Sequence, residues 1–525
     1  MIGRILSFSC LLLCIPTVAL AQHDPQRNTV QHIAAERFDK ATAELAKGDQ
    51  TEPETHFVRM MQSLAEGKTD EAVRHAQSAL DAGLPFERLV AGPRDLLAPL
   101  YAADEYKKWL EKYGDTPLLH GPMLGAVADD GASFWVRTAR PATVRIEVFE
   151  SDKPSDKPVA VSEPTRSTAD SDYTAVARVT GLKAATAYRY HVLIDGKRID
   201  AENTDFRTFP TKGQGADFQI GFGGGAGYVP MWEYMWDTLV KVRPLAFFML
   251  GDNVYIDDPT HPLTQNYCYY RRQSRPEWRR FIASTAMYSI YDDHDFGTND
   301  CVPGPEIDKP AWKRDVWRRY TRNWVNPSYG GGEEQPGCWY DFYIGDVHFI
   351  LLDGRYYRSR GETPSMLGPV QKAWLKETLA ASRGTFKVLA SPVPWTAGIK
   401  PGSRDPWDGF PEEREEIFSF LEEKKIDGVI LMAADRHRSD LRITARPAGY
   451  HLYEFESSRL TNRHTHGVVK TPGLVWGYNK TCSCGLIRFN TTADDPTVTF
   501  EVMTIDGERI LEHTLPLSKL RHARD

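Results

Sequence analysis

Two acidic clusters, Gly251-Asp252-Asn253-Val254-Tyr255 and Tyr291-Asp292-Asp293-His294-Asp295, stand about forty residues apart, each after a run that reads as a buried strand or the approach to one. The first closes the apolar run Leu245-Ala246-Phe247-Phe248-Met249-Leu250, so a tight turn at Gly251 presents Asp252 and Tyr255 at the carboxyl edge of a sheet. Open α/β sheets bind ligands at that edge. Three carboxylates packed around one histidine, as in Asp292 to Asp295, repel one another and lose hydration unless cations neutralise them. Two more loops after strands carry unusual residues: Asp353 with Arg355 and Arg358, and Asp435 with His437. Hard oxygen ligands with an imidazole suit Ca, Mg, Mn, Fe(III) or Zn. Two such cations a few Å apart can clamp the attacking and leaving oxygens of phosphoryl transfer and acidify a water between them. Tyr255, three residues after Asp252, adds a phenolate that favours Fe(III).

Each residue has an ordinary structural alternative. A single Gly-Asp is common in turns, His437 alone reads as a satisfied histidine, and Arg436 and Arg438 read as a charged edge. Arg355 reads equally as an ion-pair partner for Asp353, and Arg463-His464-Thr465-His466 as a metal-ligand spacing or a polar loop. Four such loops nevertheless recur after strands in one segment, and that recurrence points to chemistry.

The elements that must position these loops follow from periodicity. From about 32 to 113 the pattern is helical, with apolar residues at three and four spacing in Phe57-Val58-Met60-Met61-Leu64 and Ala72-Val73-Ala76-Ala79-Leu80. Between about 121 and 209 short alternating strands separated by Asp130-Gly131 and Asp195-Gly196 predict an antiparallel, fibronectin-like β-sandwich, with 210–215 as a linker. From Phe218 onward apolar strands alternate with helical stretches such as 370–382 and 412–424, an α/β enzyme layout. The last strands, near 485–489, 498–504 and 509–515, are expected to form a second sheet of that domain. The chain is therefore multidomain: a signal segment 1–21, a helical domain 22–118, a β-sandwich 119–210 and a catalytic domain 216–520 with two packed sheets flanked by helices.

Composition narrows the function classes. At 525 residues, with a formal net charge of -7 and no clustered basic face, the chain is unsuited to nucleic acid. Arg4 followed by the apolar stretch 5–20 and Ala19-Leu20-Ala21 predicts a secretory signal peptide. Ser7, Ser9 and Pro16 interrupt that stretch, against a membrane anchor, and no other segment is apolar enough to span a bilayer. The expected location is exported, periplasmic or extracellular. Cleavage leaves Cys268, Cys301, Cys338, Cys482 and Cys484, an odd number, read as buried or disulfide cysteines and no framework.

Several ordered motifs carry a resemblance. From about His120 to the C-terminus the chain resembles the alkaline phosphatase D (PhoD-like) metallophosphatase family, related to purple acid phosphatases and calcineurin-like phosphoesterases. The matching residues are His120-Gly121-Pro122-Met123-Leu124-Gly125, Leu250 to Tyr255, Tyr291 to Asp300, Leu352 to Arg358, Asp405 to Pro411, and Ala434-Asp435-Arg436-His437. The resemblance implies metal ligation by Asp252, Tyr255, Asp292, Asp293, Asp435 and His437. Asp252 would bridge two metals, Tyr255 would bind the more oxidised one, and Asp293 would replace the asparagine of the calcineurin-like motif. His294 would face the phosphate as a catalytic residue, with Arg355 gripping phosphate oxygens bidentately. Two positions depart from the family. The cysteine expected after the first catalytic strand is glycine in Phe222-Gly223-Gly224-Gly225-Ala226, with Gly225 nearest, and the glycine before the Asp-Arg-His element is Ala434. Gly225 cannot supply a thiolate, which puts Fe(III) in question; the glycines alternatively form a backbone cradle for an anion.

The expected activity is metal-dependent hydrolysis of phosphate monoesters or diesters by attack of a metal-bound hydroxide. Ca is the first candidate cofactor, with Mg, Mn or Zn as alternatives. Phospholipase D-like phosphodiester cleavage on the same fold, or a degenerate, non-catalytic cell-surface binding protein, are the competing readings.

Overall fold

The computed structural model describes residues 24–153 and 155–523; the signal segment expected over 1–21 lies outside the described residues. The first helix, Pro25–Ala34, opens on an Asp24 cap that accepts the Arg27 N–H at 3.0 Å, with Pro25 at the position where a missing N–H goes unnoticed. Helices Pro53–Ala65 and Thr69–Asp81 form a hairpin, and Gly67 between them takes φ +75°, the left-handed conformation that ends a helix. Phe57, Val58, Met60, Met61 and Leu64 are buried from one helix, and Ala72, Ala76, Ala79 and Leu80 from the other. The apolar spacing in the sequence therefore marks the packed faces.

Strands Leu118–Gly125, Gly131–Thr138 and Thr174–Thr180 pair antiparallel and face a second antiparallel set built on Ala142–Glu150 and Ala187–Ile194. Phe134 packs on Tyr190 and Phe206 between the two layers, with ring centroids 4.5 and 5.6 Å apart. The first layer does not end at a domain edge. Gly125 pairs in parallel with Met287, so these strands continue a nine-stranded sheet that contains Asp217–Gly223, Ala246–Leu250 and Ala286–Ile290. The final strands Ser483–Asn490, Thr497–Thr504 and Arg509–Pro516 join this same sheet beside Asp217–Gly223. They extend the first catalytic sheet and do not form one of their own.

A seven-stranded sheet lies against it. Its core is four parallel strands, Val347–Leu351, Phe386–Ala390, Val429–Ala433 and Leu452–Ser457, each buried throughout or nearly so. Phe248 of the first sheet packs on Phe349 of the second at 5.0 Å, and Phe455 on Phe500 at 4.5 Å. Runs buried on both faces are continuous apolar sequences and show no alternation. Helices Tyr234–Val242, Gly368–Ala381 and Pro411–Glu423 provide crossovers between parallel strands. In each sheet the parallel strands end in the loops that carry the acidic clusters.

Candidate metal centre and its surroundings

The turn after Ala246–Leu250 is built for exposure of side-chain oxygen to a closed interior. Gly251 takes φ +107°, and a Cβ there would lie 2.5 Å from Asp292 Cβ, so only glycine lets the two acidic loops approach. Asp252 follows at φ +54°, Tyr255 at +49° and Asp257 at +54°; in the facing loop Asp435 is at +68° and His437 at +50°. Left-handed backbone is unfavourable for side-chain-bearing residues, and five such positions in two loops mark a site whose geometry the surrounding fold enforces.

Asp252 is 2% exposed, and neither of its carboxylate oxygens has a hydrogen-bond partner. Burial, with the nearby carboxylates of Asp293, Asp292 and Asp295, lifts its pKa well above the ordinary value against the opposing pull of His294. Asp292 Oδ2 and Asp293 Oδ1 are likewise buried without a hydrogen bond. Asp252, Asp293 and His294 bring one ligand atom each within 4.8 Å of one another. Four unpartnered buried carboxylate oxygens are what cation ligands look like before the cation is counted.

His437 enters from the second sheet. Its Nδ1 lies 3.1 Å from the His464 carbonyl, which can only accept, so Nδ1 carries the proton and Nε2 keeps its lone pair. That Nε2 lies 3.0 Å from the Tyr255 hydroxyl and 3.8 Å from Asp252 Oδ2. Burial, then the neighbouring His464 and His466, push the His437 pKa well below its ordinary value, which keeps it neutral. Burial and then Asp252 hold the Tyr255 phenol well above its ordinary range in the absence of a cation.

His294 sits on the short helix Asp293–Phe296, with its ring 4.9 Å from that of Tyr255. Its Nδ1 donates to Asp257 Oδ1. Burial opposes its charge, yet Asp293, Asp252 and Asp257 together raise its pKa well above the ordinary value, so it holds a proton at neutral pH. Asp295 does a different job. Its oxygens accept the N–H groups of Asn253 and Val254 at 3.0 and 2.9 Å, tying the two acidic loops together, and burial still pushes its pKa up to about 6.

Arg355 is fully buried beside Asp292, with Nε 2.5 Å from Asp292 Oδ1, and forms a fork to Asp405 at 2.7 and 3.2 Å. It also lies 3.5 Å from Asp293 Oδ1. Asp353 is not its side-chain partner: Asp353 instead caps the N–H groups of Arg355 and Tyr356 and accepts the Tyr291 hydroxyl. Despite burial, Arg355 and then His294 pull Asp293 down to about 2. Asp405 is held well below the ordinary carboxylate range, its burial outweighed by Arg355, Arg358 and Lys400.

Of the residues expected from sequence, Asp252, Tyr255, Asp293, His294 and His437 converge. Asp292 lies behind them on Arg355. Asp435 Oδ2 stands 3.5 Å from Arg436 and 4.0 Å from Lys400. Sequence reasoning misses Asp257 and Asp405, whose only signals are that Asp405 belongs to the Asp405-Pro406-Trp407 motif and that Asp257 follows Tyr255 by two residues. Gly225 takes φ +68°, and a Cβ there would stand 3.5 Å from the Tyr255 hydroxyl, so the position faces the phenol and offers no sulfur. Of the five cysteines among the described residues none is in a disulfide, and four are buried.

A nine-stranded and a seven-stranded sheet with acidic loops converging at their strand ends define a class. Residues 220–472 match the family model of the PhoD-like phosphatase and form a PhoD-like phosphatase domain, so the resemblance carried by the motifs holds. Residues 115–212 match a Domain of unknown function (DUF7800). Among known proteins the chain is similar to alkaline phosphatase D of Bacillus subtilis (strain 168), with 30% identity over 112 residues. That match spans 17% of this chain and 19% of the relative. A solved structure of PhoD superposes with a TM-score of 0.61 at 16% identity, covering 74% of this chain and 91% of that one. Purple acid phosphatase PPD1 from yellow lupin seeds superposes with 0.56 at 11% identity, covering 76% and 75%. Both likenesses show the fold. No helix among the described residues is long and apolar enough to cross a membrane.

Proposed function

We propose that the protein is an exported, metal-dependent phosphoric ester hydrolase acting on phosphate monoesters or diesters. The observation that carries this reading is Asp252, buried with both oxygens unpartnered between His437 and the Asp293–His294 pair. Asp252, Tyr255, Asp292, Asp293, Asp435 and His437 would hold the ions, a set of oxygens with one imidazole that fits Ca, Mg, Mn or Zn. Tyr255 would favour Fe(III), but Gly225 supplies no thiolate beside it. Ions bound there would acidify a water and neutralise the phosphate oxygens. His294, protonated through its neighbours and oriented by Asp257, is placed to give its proton to the leaving oxygen. Arg355 aligns Asp292 and Asp293 by holding both, and in this arrangement its guanidinium faces carboxylates.

The test is turnover of p-nitrophenyl phosphate and bis(p-nitrophenyl) phosphate by purified protein before chelation, after it, and after reloading with single metals. Chelation is expected to abolish both activities and one of Ca, Mn or Zn to restore them. Asp252→Asn should lose bound metal, measured by mass spectrometry, together with activity. Turnover that survives chelation or Asp252→Asn ends the proposal.

A further inference from the structure

The glycine run after strand Asp217–Gly223 is the bed for a loop from the far end of the chain. A Cβ on Gly224 would stand 2.7 Å from the Ala434 Cβ, so Ala434 fits in place of the family's glycine because Gly224 has none. A Cβ on Gly227 would stand 3.1 Å from Asn462 Cγ, so the Asn462 amide lies directly against the run. Residues 460 and 461 are stitched along it. The Leu460 N–H donates to the Gly224 carbonyl at 3.0 Å, the Thr461 N–H to the Gly225 carbonyl at 3.3 Å, and the Thr461 hydroxyl to the Gly227 carbonyl at 2.7 Å.

Asn462 is the last buried residue before an exposed turn. It is 3% exposed, whereas Arg463, Thr465 and Gly467 are open to solvent and His464 and His466 are half-buried. Its Oδ1 accepts the His464 N–H at 3.0 Å, and because that N–H can only donate, the bond fixes which way the amide points. Its Nδ2 is buried without a hydrogen-bond partner, an unfavourable placement that the Oδ1 bond must offset. The His464 carbonyl in turn accepts the Nδ1 proton of His437 at 3.1 Å, with a longer contact from Arg459 at 3.4 Å. The Thr465 hydroxyl returns to the His437 carbonyl at 3.0 Å. Exposed turns hold one geometry only when buried groups pin them. Two buried side chains pin this one: Arg459 through the Arg463 carbonyl, and Asn462 through the N–H of His464 itself.

We infer that Asn462 is a positioning residue of the candidate metal centre: it holds the His464 turn so that the His437 proton stays on Nδ1 and Nε2 keeps its lone pair for a metal. The assignment rests on His437 as a metal ligand, as in the proposed function. Without Asn462 the turn loses its anchor beside the carbonyl that holds Nδ1, and the proton is free to move to Nε2, where it blocks ligation. Zinc gains much from an imidazole nitrogen, whereas calcium takes oxygens. Asn462 therefore sets which ion the centre prefers more than whether it holds one.

The test measures zinc and calcium affinities of the metal-free full chain by competition with a chromophoric chelator. Wild type is compared with Asn462→Leu, which keeps the volume, and with Asn462→Asp, which keeps the accepting oxygen. Asn462→Leu is expected to lose roughly 10–100-fold in zinc affinity and to keep calcium affinity close to wild type. Asn462→Asp is expected to keep the wild-type zinc-to-calcium ratio. An unchanged zinc affinity in Asn462→Leu overturns the assignment, as does a wild type that does not bind zinc. Zinc and calcium affinities that fall together also overturn it, since a loosened loop with no bearing on His437 acts on both ions alike. If Asn462→Leu fails to fold by circular dichroism, Gly227→Ala carries the test, because its Cβ displaces the Asn462 amide. A lower zinc-to-calcium ratio is then expected, and an unchanged one overturns. None of these measurements uses turnover, so a wild type that binds zinc yet hydrolyses neither nitrophenyl ester removes the phosphatase reading and leaves the role of Asn462 standing.

Discussion

Asp252 works against the fold that holds it, and the pH dependence of that conflict is measurable. Without a cation its folded pKa is raised, so the folded chain keeps a proton that the unfolded chain releases above about pH 4. The penalty is absent below that pH and grows as pH rises, until the folded pKa is reached. In metal-free protein Asp252→Asn should therefore be more stable than wild type, on the order of 2 kcal/mol at pH 7, with the gap wider at pH 7 than at pH 5. Urea unfolding in chelator at both pH values checks this. Saturating metal should reverse the order, because only wild type then gains binding energy. A gap that narrows with rising pH would mean that Asp252 is ionised and satisfied by the protein alone. Gly225 gives a second measurement at this scale. Gly225→Cys forces a side chain onto φ +68°, at about 1 kcal/mol or more of strain, and puts sulfur near the Tyr255 hydroxyl. The variant should melt lower than wild type when metal-free and gain a visible charge-transfer band when loaded with Fe(III). These residues were legible as a set because acids after apolar strands have few structural uses. Their left-handed backbones were not, since nothing in the composition of Tyr255 or His437 announces a positive φ.

Elements explain how His294 is oriented, and here sequence was silent. The first helix lies outside the phosphatase motifs, yet Arg27 ion-pairs with Asp257 and donates to the Tyr255 carbonyl at 3.3 Å. Gln31 reaches the Ile256 and Asp257 carbonyls at 3.1 and 3.3 Å, and Asp24 is forked to Arg271 of helix Pro262–Gln273. The helix therefore fastens the loop whose Asp257 holds His294. No periodicity could show this, because the partners are more than 220 residues apart. Arg27→Ala should release Asp257, lower kcat about tenfold and leave metal content and KM close to wild type. Steady-state kinetics with metal analysis separates this from a collapse of the centre, in which metal would fall with kcat. The helical faces themselves were readable, since Phe57 to Leu64 and Ala72 to Leu80 follow the spacing of a buried stripe.

At the scale of the whole molecule the boundary between sandwich and catalytic segment is a change of sequence texture and not a break in the sheet. The alternating strand Gly131–Thr138 and the continuous apolar strand Ala246–Leu250 look like separate architectures although both are buried throughout in one sheet, because the first also buries polar side chains, Ser133 and Arg137 among them. Gly125 paired with Met287 joins them, and buried polar contacts reinforce the seam: Tyr190 to the Ala283 carbonyl at 2.8 Å, Tyr288 to the Val127 carbonyl at 3.0 Å, and Arg137 to Asn323 at 3.0 Å. Phe209 stacks on Tyr288 at 6.3 Å and on Phe342 at 6.2 Å, so the segment before the catalytic strands is packed into the same core. Elements that share a sheet and satisfy each other's buried groups lose those partners together. The sandwich and the catalytic sheets should therefore melt in one calorimetric transition, and Tyr190→Phe, which leaves the Ala283 carbonyl without its donor, should lower that single midpoint by an amount matching about 1–2 kcal/mol. Two resolved transitions, with Tyr190→Phe moving only one, would show that the seam is a contact between independent units and that the sheet's continuity has no energetic weight.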